Sequence, residues 1–179
     1  MLKLGDFYDV NEISLLAGVK NNRGIQCGIL VNEIKKITVL IQTISGKGYV
    51  GPYPNKWDEV TIGVLHFCGT NKGLRKEIKK QNLESKLNKH VNKELFPIHV
   101  FVRYPERTFR YMGEFTRFPI YDETIIIDGK EIFSFGLISK DIERCAPIIH
   151  SVINVTQKKI MNNVMLFYEC SCRTQHIGM

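Results

Sequence analysis

No apolar run in this sequence approaches the ~20 residues that a membrane-spanning helix needs. The N-terminus, MLKLGDFYDVNEIS, lacks the basic-then-apolar order of a secretion signal. Both absences point to a soluble, cytoplasmic chain without a membrane partner. Cysteine is sparse and irregular: Cys27, Cys68, Cys145, Cys170 and Cys172 are odd in number and unevenly spaced. That excludes a secreted disulfide framework and favours reduced thiols. Acidic residues are in deficit, 18 against 25 Lys and Arg, for a net charge of +7. Such a surface favours anionic partners, nucleic acid or anionic membrane, and carries no information about fold.

The sequence also lacks the short motifs of the common nucleotide and hydrolase chemistries. The stretch LHFCGTNKGLRKEIKKQN sets an apolar strand end against a glycine-bracketed turn and a basic run. A phosphate loop needs Gly-x-x-x-x-Gly-Lys-Ser/Thr, so that successive backbone N–H groups and the lysine surround the phosphates. Gly69 and Gly73 are too close together, and no Gly-Lys-Ser/Thr follows. No Gly-x-Gly-x-x-Gly opens a helix after a strand, and neither HExxH nor GxSxG occurs. No cofactor is expected.

What is present reads as one domain of 179 residues, 44% hydrophobic and 24% charged. Val10, Ile13 and Leu16 lie at helical spacing after a possible Asp9 cap, with Gly18 as the stop. Turn residues at 21–24 lead into a strand, IQCGILV, and KKITVLIQTI forms a second. A loop rich in glycine and proline follows, then the short apolar run TIGVLHF. In residues 74–95 the period changes. Leu74, Ile78, Leu83, Leu87, Val91 and Leu95 recur mostly every four residues without a proline, which predicts one helix or two abutting ones. Between Lys72 and Lys93, eight Lys and Arg face two acidic residues, on the faces that the apolar stripe leaves exposed.

After Pro97 the strand pattern returns in IHVFVRY, TFRYMGEFTRF, TIIIDGKEIFSFGLI and NVMLFYEC, with Asp128-Gly129 as a hairpin turn. A further helix is expected to begin near Pro147, with Ile148, Val152 and Val155 inward. Many strands and two or three helices, without regular strand–helix alternation, predict a mixed α+β barrel or a strongly bent sheet.

Two catalytic constellations can be drawn from the residues. Pro105-Glu106 with Asp128-Gly129-Lys130 resembles the acidic pair and lysine of restriction-type nucleases, in which the carboxylates bind a metal ion and the lysine assists the attacking water. The competing reading is simpler: Asp-Gly is what a tight hairpin between two strands needs. Cys170-x-Cys172 with His176, joined by Cys145 or His150, could ligate zinc, but one C-x-C near a chain end is not the spacing of paired structural ligands. No catalytic residue and no metal are assigned.

A family resemblance rests on Tyr53-x-Asn55-x-Trp57-Asp58, the strand LHFCGTNKG, Gln81-Asn82-Leu83-Glu84, the strand PIHVFVRY and Phe109-Arg110-Tyr111-Met112-Gly113-Glu114-Phe115. Over residues 20–118 this layout resembles the N-terminal target-recognition domains of modification-dependent and related restriction systems. These include SRA-like modules attached to HNH nucleases and the domains preceding McrB-type GTPase motors. Asn55 stands where that pattern usually has aspartate, and Phe67 to Asn71 replaces a more glycine-rich form. The resemblance implies a bent sheet or pseudobarrel of PUA/SRA type, α+β and flanked by two or three helices. The alternative is the pseudobarrel shared by plant transcription factors and some restriction enzymes.

Its implied function is non-catalytic recognition of double-stranded DNA at a site or at modified cytosine, with cleavage supplied by a nuclease or GTPase motor partner. Residues 1–179 are then one DNA-binding domain, the N-terminal part of a longer restriction protein. The alternatives are a small metal-dependent nuclease and an RNA-binding PUA-like module. On this reading Lys72, Arg75, Lys76, Lys79 and Lys80 neutralise phosphates, with Asn71, Gln81 and Asn82 as polar contacts. Arg23, Gln26 and Asn55 are the types suited to bidentate base contacts. Trp57, Tyr53 and Phe67 either stack on an extruded base or pack in the core.

Overall fold

The computed structural model describes residues 1–19, 28–43, 55–68, 83–104, 106, 108–127 and 129–153. The chain enters through β1 (Phe7–Tyr8) and α1 (Val10–Ala17). Asp9 starts the helix as a capping box: its carboxylate accepts from the backbone N–H groups of Asn11 and Glu12, while Glu12 reaches back to the Asp9 N–H. Asn32 then fixes the end of the helix from a distance. Its Nδ2 donates to the Leu16 carbonyl at 2.8 Å, and its Oδ1 accepts from the backbone of Ile34 and Lys35.

The strands that follow are β2 (Gly28–Asn32), β3 (Ile37–Thr43), β4 (Lys56–Trp57), β5 (Val64–Cys68), β6 (Ile98–Arg103), β7 (Phe109–Arg117), β8 (Glu123–Ile127) and β9 (Lys130–Ser139). They form one mixed sheet in the order β2-β3-β6-β7-β9-β5-β4, with β1 on β7 and β8 on β9. Only β3 and β6 pair in parallel, Thr38 opposite Ile98, because the chain between them makes the long excursion through β4, β5 and α2 (Lys86–Asn92).

Alternation along the central strands sorts two cores onto opposite faces. Val39, Ile41, Phe101, Phe109 and Tyr111 pack against Ile13 and Ala17 of α1. Leu40, Val100 and Val102 face the other way and join Trp57, Leu65, Phe67, Phe115, Phe135 and Leu137. That second cluster draws on β2 to β7 and on β9, so the sheet bends around it as a pseudobarrel that is not closed. The expected α+β bent sheet is the observed fold.

Two helical expectations change. Over 74–95, the described helix is α2 alone. Ser85 caps it by accepting from the Asn88 N–H, and Leu83 and Glu84 form a turn before it. No single helix therefore runs through residue 84, and residues 69–82 lie outside the described set. The last helix, α3 (142–153), begins five residues before Pro147. Asp141 opens it by accepting from the Arg144 N–H; Cys145, Ile149 and Val152 are its fully buried side chains, and Ile148 is partly buried against the same cluster, so Ile148 and Val152 lie inward as expected. Pro147 and Glu143 are exposed, so the carbonyl left without an intrahelical N–H is on the solvent side, where a proline is best tolerated. Val155 and the segment NVMLFYEC lie outside the described residues.

The Asp-Gly hairpin is present: Ile127 pairs with Lys130, and Gly129 has φ +71°. Gly136 serves a different need. A Cβ there would sit 2.6 Å from Tyr121 Cβ and 2.7 Å from the Phe118 carbonyl, so glycine lets the 3₁₀ turn Pro119–Tyr121 lie directly on β9.

Candidate nucleic-acid interface

Most of the residues singled out from sequence, Arg23, Gln26, Asn71, Lys72, Arg75, Lys76, Lys79, Lys80, Gln81 and Asn82, lie outside the described residues, as does Tyr53. The described residues that flank them are brought together. Gly28, which follows 20–27, is paired with Ile41. Next to Ile41, Gln42 donates from Nε2 to the carbonyl of Asn55 at 3.3 Å, bridging the start and end of 44–54. Asn55 in turn accepts, through Oδ1, from the backbone N–H of Cys68 at 2.8 Å, and Cys68 directly precedes 69–82. The three candidate-bearing segments thus share one root, although they are far apart in sequence.

Asn55, Trp57 and Phe67 are the described candidates. Asn55 is half-buried and holds this root together. Trp57 is 7% exposed and packs on Phe115 with ring centroids 5.9 Å apart; Phe67 is fully buried. Both rings occupy the core, the packing alternative, and neither offers a face to a base. Trp57 retains a cost of that placement, since its indole N–H is buried without a partner among the described residues.

Beside the root lies a polar cluster that sequence reasoning did not single out. Asp58 accepts through Oδ1 from the backbone N–H groups of Val60 (2.9 Å) and Thr61 (2.6 Å), which folds the β4–β5 turn. Its Oδ2 meets His66 Nε2 at 2.9 Å. The other ring nitrogen, Nδ1, lies 3.4 Å from Glu123 Oε1, too poorly aligned for a hydrogen bond, and Lys56 Nζ lies 3.3 Å from that same oxygen. The Tyr121 ring meets the imidazole edge-on. The bond from His66, and then that from the Thr61 N–H, holds the Asp58 carboxyl below its ordinary range against the opposing effect of burial. The sequence signal was Asp58 itself, a residue type that bonds the backbone two residues on in an Asx-turn, here at Val60, but nothing in VLHFC indicated that His66 would find it.

The thiols are inert. Burial pushes Cys68 up to about 11 while the nearby Ser134 hydroxyl pulls the other way, and burial likewise pushes Cys145, whose Sγ donates to the Met112 carbonyl, up to about 11. Neither is a thiolate at neutral pH, so neither is poised as a nucleophile. Of the zinc set considered above, Cys145 is buried on the Met112 carbonyl, and Cys170, Cys172 and His176 lie outside the described residues. Among the described residues no group of three or more His, Cys, Asp or Glu could hold a metal ion.

The nuclease constellation is also pulled apart. Glu106 precedes β7 and Lys130 opens β9, whereas these antiparallel strands pair only near their C-terminal ends, Phe115 with Ser139. The two residues lie toward opposite ends of that pair, and Asp128 is outside the described residues. Among the described residues no helix is long and apolar enough to cross a membrane.

No protein-family model matches the sequence, and no curated protein matches it. Solved structures do match the fold. The SUVH5 SRA domain in complex with fully methylated CG DNA has a TM-score of 0.51 and 21% identity, over 77% of this chain and 88% of that one. The SUVH5 SRA domain bound to fully hydroxymethylated CG DNA gives 0.52 and 22%, over 77% and 89%. KRYPTONITE in complex with mCHG DNA and SAH gives 0.51 and 15%, over 77% of this chain but 32% of that one. The chain is similar to these in architecture. Of the two pseudobarrels expected from sequence, the SRA type is the one these structures support.

Proposed function

We propose that this chain is a non-catalytic domain that recognises double-stranded DNA, in the manner of an SRA module, with modified cytosine as the feature read. One observation carries the reading: Cys68, which precedes the phosphate-binding candidates, is bonded to the base-reading candidate Asn55, Asn55 to Gln42 of β3, and the neighbouring Ile41 is paired with Gly28, which follows Arg23 and Gln26, in an SRA-type fold. The SUVH5 SRA domains of that fold are bound to methylated and hydroxymethylated DNA. The net charge of +7 supports an anionic partner. Lys72, Arg75, Lys76, Lys79 and Lys80 contact phosphates, Asn71, Gln81 and Asn82 add polar contacts, and Arg23 and Gln26 reach base edges. The setting that the sequence resemblance implies is a restriction or defence system in which a nuclease or McrB-type motor supplies cleavage.

The test is competition binding with fluorescent duplexes of random sequence, unmethylated and cytosine-methylated, against matched RNA, at two salt concentrations with magnesium present. The expected result is duplex binding whose log affinity falls steeply with log salt, a preference for the methylated duplex, and no cleavage. Tighter binding to RNA would replace this reading with the PUA-like one. Magnesium-dependent cleavage would replace it with the nuclease.

A further inference from the structure

Asn55 is a base-reading candidate by residue type, but its surroundings assign it another task. We infer that Gln42 and Asn55 form a clasp that positions the DNA-contacting segments, with Asn55 acting on its neighbours and not on a base; this rests on the DNA-recognition reading above. Asn55 is engaged on two sides. Its side-chain Oδ1 accepts the Cys68 N–H at 2.8 Å, and its own carbonyl accepts Gln42 Nε2 at 3.3 Å. Asn55 follows 44–54 and Cys68 precedes 69–82, and this side-chain bond extends the β4–β5 ladder, in which Lys56 pairs with His66, to the point where both segments leave the sheet. Gln42 ties both to β3, where Ile41 is paired with Gly28, the residue after 20–27.

The chemistry of Gln42 supports a role beyond packing. It stands in an otherwise largely apolar strand, ITVLIQT, on the same face as fully buried Leu40, and is itself 8% exposed. Its Oε1 is buried without a partner among the described residues. A half-satisfied amide in a core works against stability, and an apolar side chain of similar volume would remove that penalty. What such a side chain could not supply is the bond to Asn55. A residue kept at a cost to stability, where its one bond joins two interface flanks, fits a positioning residue: flanks held in place before binding need not be ordered during it.

The experiment compares wild type, Gln42→Met, Asn55→Ala and the double variant in three measurements: melting midpoint, hydrogen exchange of the Cys68 amide, and affinity for the methylated random-sequence duplex. Gln42→Met is expected to melt at or above the wild-type temperature yet bind about tenfold more weakly, the equivalent of roughly one hydrogen bond. Asn55→Ala is expected to accelerate Cys68 exchange and weaken binding while keeping the Gln42 bond to its backbone carbonyl, and the double variant, which opens both bonds, to bind more weakly than either single variant. Wild-type affinity in Gln42→Met or in Asn55→Ala would overturn the clasp while leaving DNA recognition standing. A wild-type chain that binds no duplex would overturn DNA recognition itself, and the positioning role with it.

Discussion

Two polar arrangements of this protein solve burial differently. At the turn after β7, Arg117 and Asp122 form a bidentate pair with Nη2–Oδ2 at 2.7 Å, and both reach Gly136: Nη1 donates to its carbonyl at 3.0 Å and Oδ1 accepts from its N–H at 2.9 Å. The guanidinium also lies over the Phe135 ring, 5.1 Å from its centroid, and Arg117 leaves only Nε without a partner. At the root of the candidate interface, by contrast, Gln42 makes one bond with an amide that could make several. The first network ties β7 to Gly136 of β9 and, through Arg117 Nη2 on Asn92 Oδ1 at 3.3 Å, to the end of α2, and it serves the fold. The second runs through backbone groups that flank the candidate segments, and leaves an acceptor unmet among the described residues. A polar network that satisfies nearly all of its members needs no role beyond architecture; one that leaves an acceptor unmet beside candidate loops is where a further role is sought.

The sharpest way to break that contrast is at the clamp. Asp122→Ala leaves Arg117, with a side chain only 7% exposed, without its counter-charge, and should cost about 3–5 kcal/mol in urea unfolding. A loss no larger than that of a surface substitution would mean that the clamp is not structural. Next comes the cluster between the two regions. Asp58→Ala removes the anchor of the β4–β5 turn and the partner of His66, and should cost about 2 kcal/mol by the same measurement.

The same group sets an acid limb. The folded carboxyl of Asp58 titrates below its unfolded value, so its stabilisation is present above the unfolded carboxylate range, near pH 4, and is lost as pH falls through the lower folded value. Unfolding free energy measured from pH 6 down to pH 2 should therefore fall less steeply in Asp58→Asn than in wild type. The smallest effect belongs to the solvent-facing pairs near α2, Lys86 with Glu33 and Lys89 with Glu84. Lys89→Ala should leave the melting midpoint unchanged, because solvent screens exposed ion pairs.

Local signals were the ones legible in sequence. The Asp9 capping box, the Asp-Gly hairpin and the alternation in ITVLIQT, IHVFVRY and FRYMGEFTR each depend on residues a few positions apart, and each became the expected element. The start of α3 was misplaced because Pro147 is a strong helix-start signal, whereas Asp141 capped the helix six residues earlier on an exposed face that tolerates the proline. Trp57 and Phe67 looked suited to stacking because residue type alone cannot distinguish a ring that faces a ligand from one that fills a barrel.

By itself the sequence determined the net charge of +7, the strand-rich α+β class and the local stops and starts of its elements, because these follow from composition and short-range periodicity. Tertiary structure alone decided which residues meet. Asp58 reaches His66, Arg117 encloses Gly136, and Asn55 joins Gln42 and Cys68, each 13 residues away, because a bent sheet brings together strand ends whose separation no sequence period encodes.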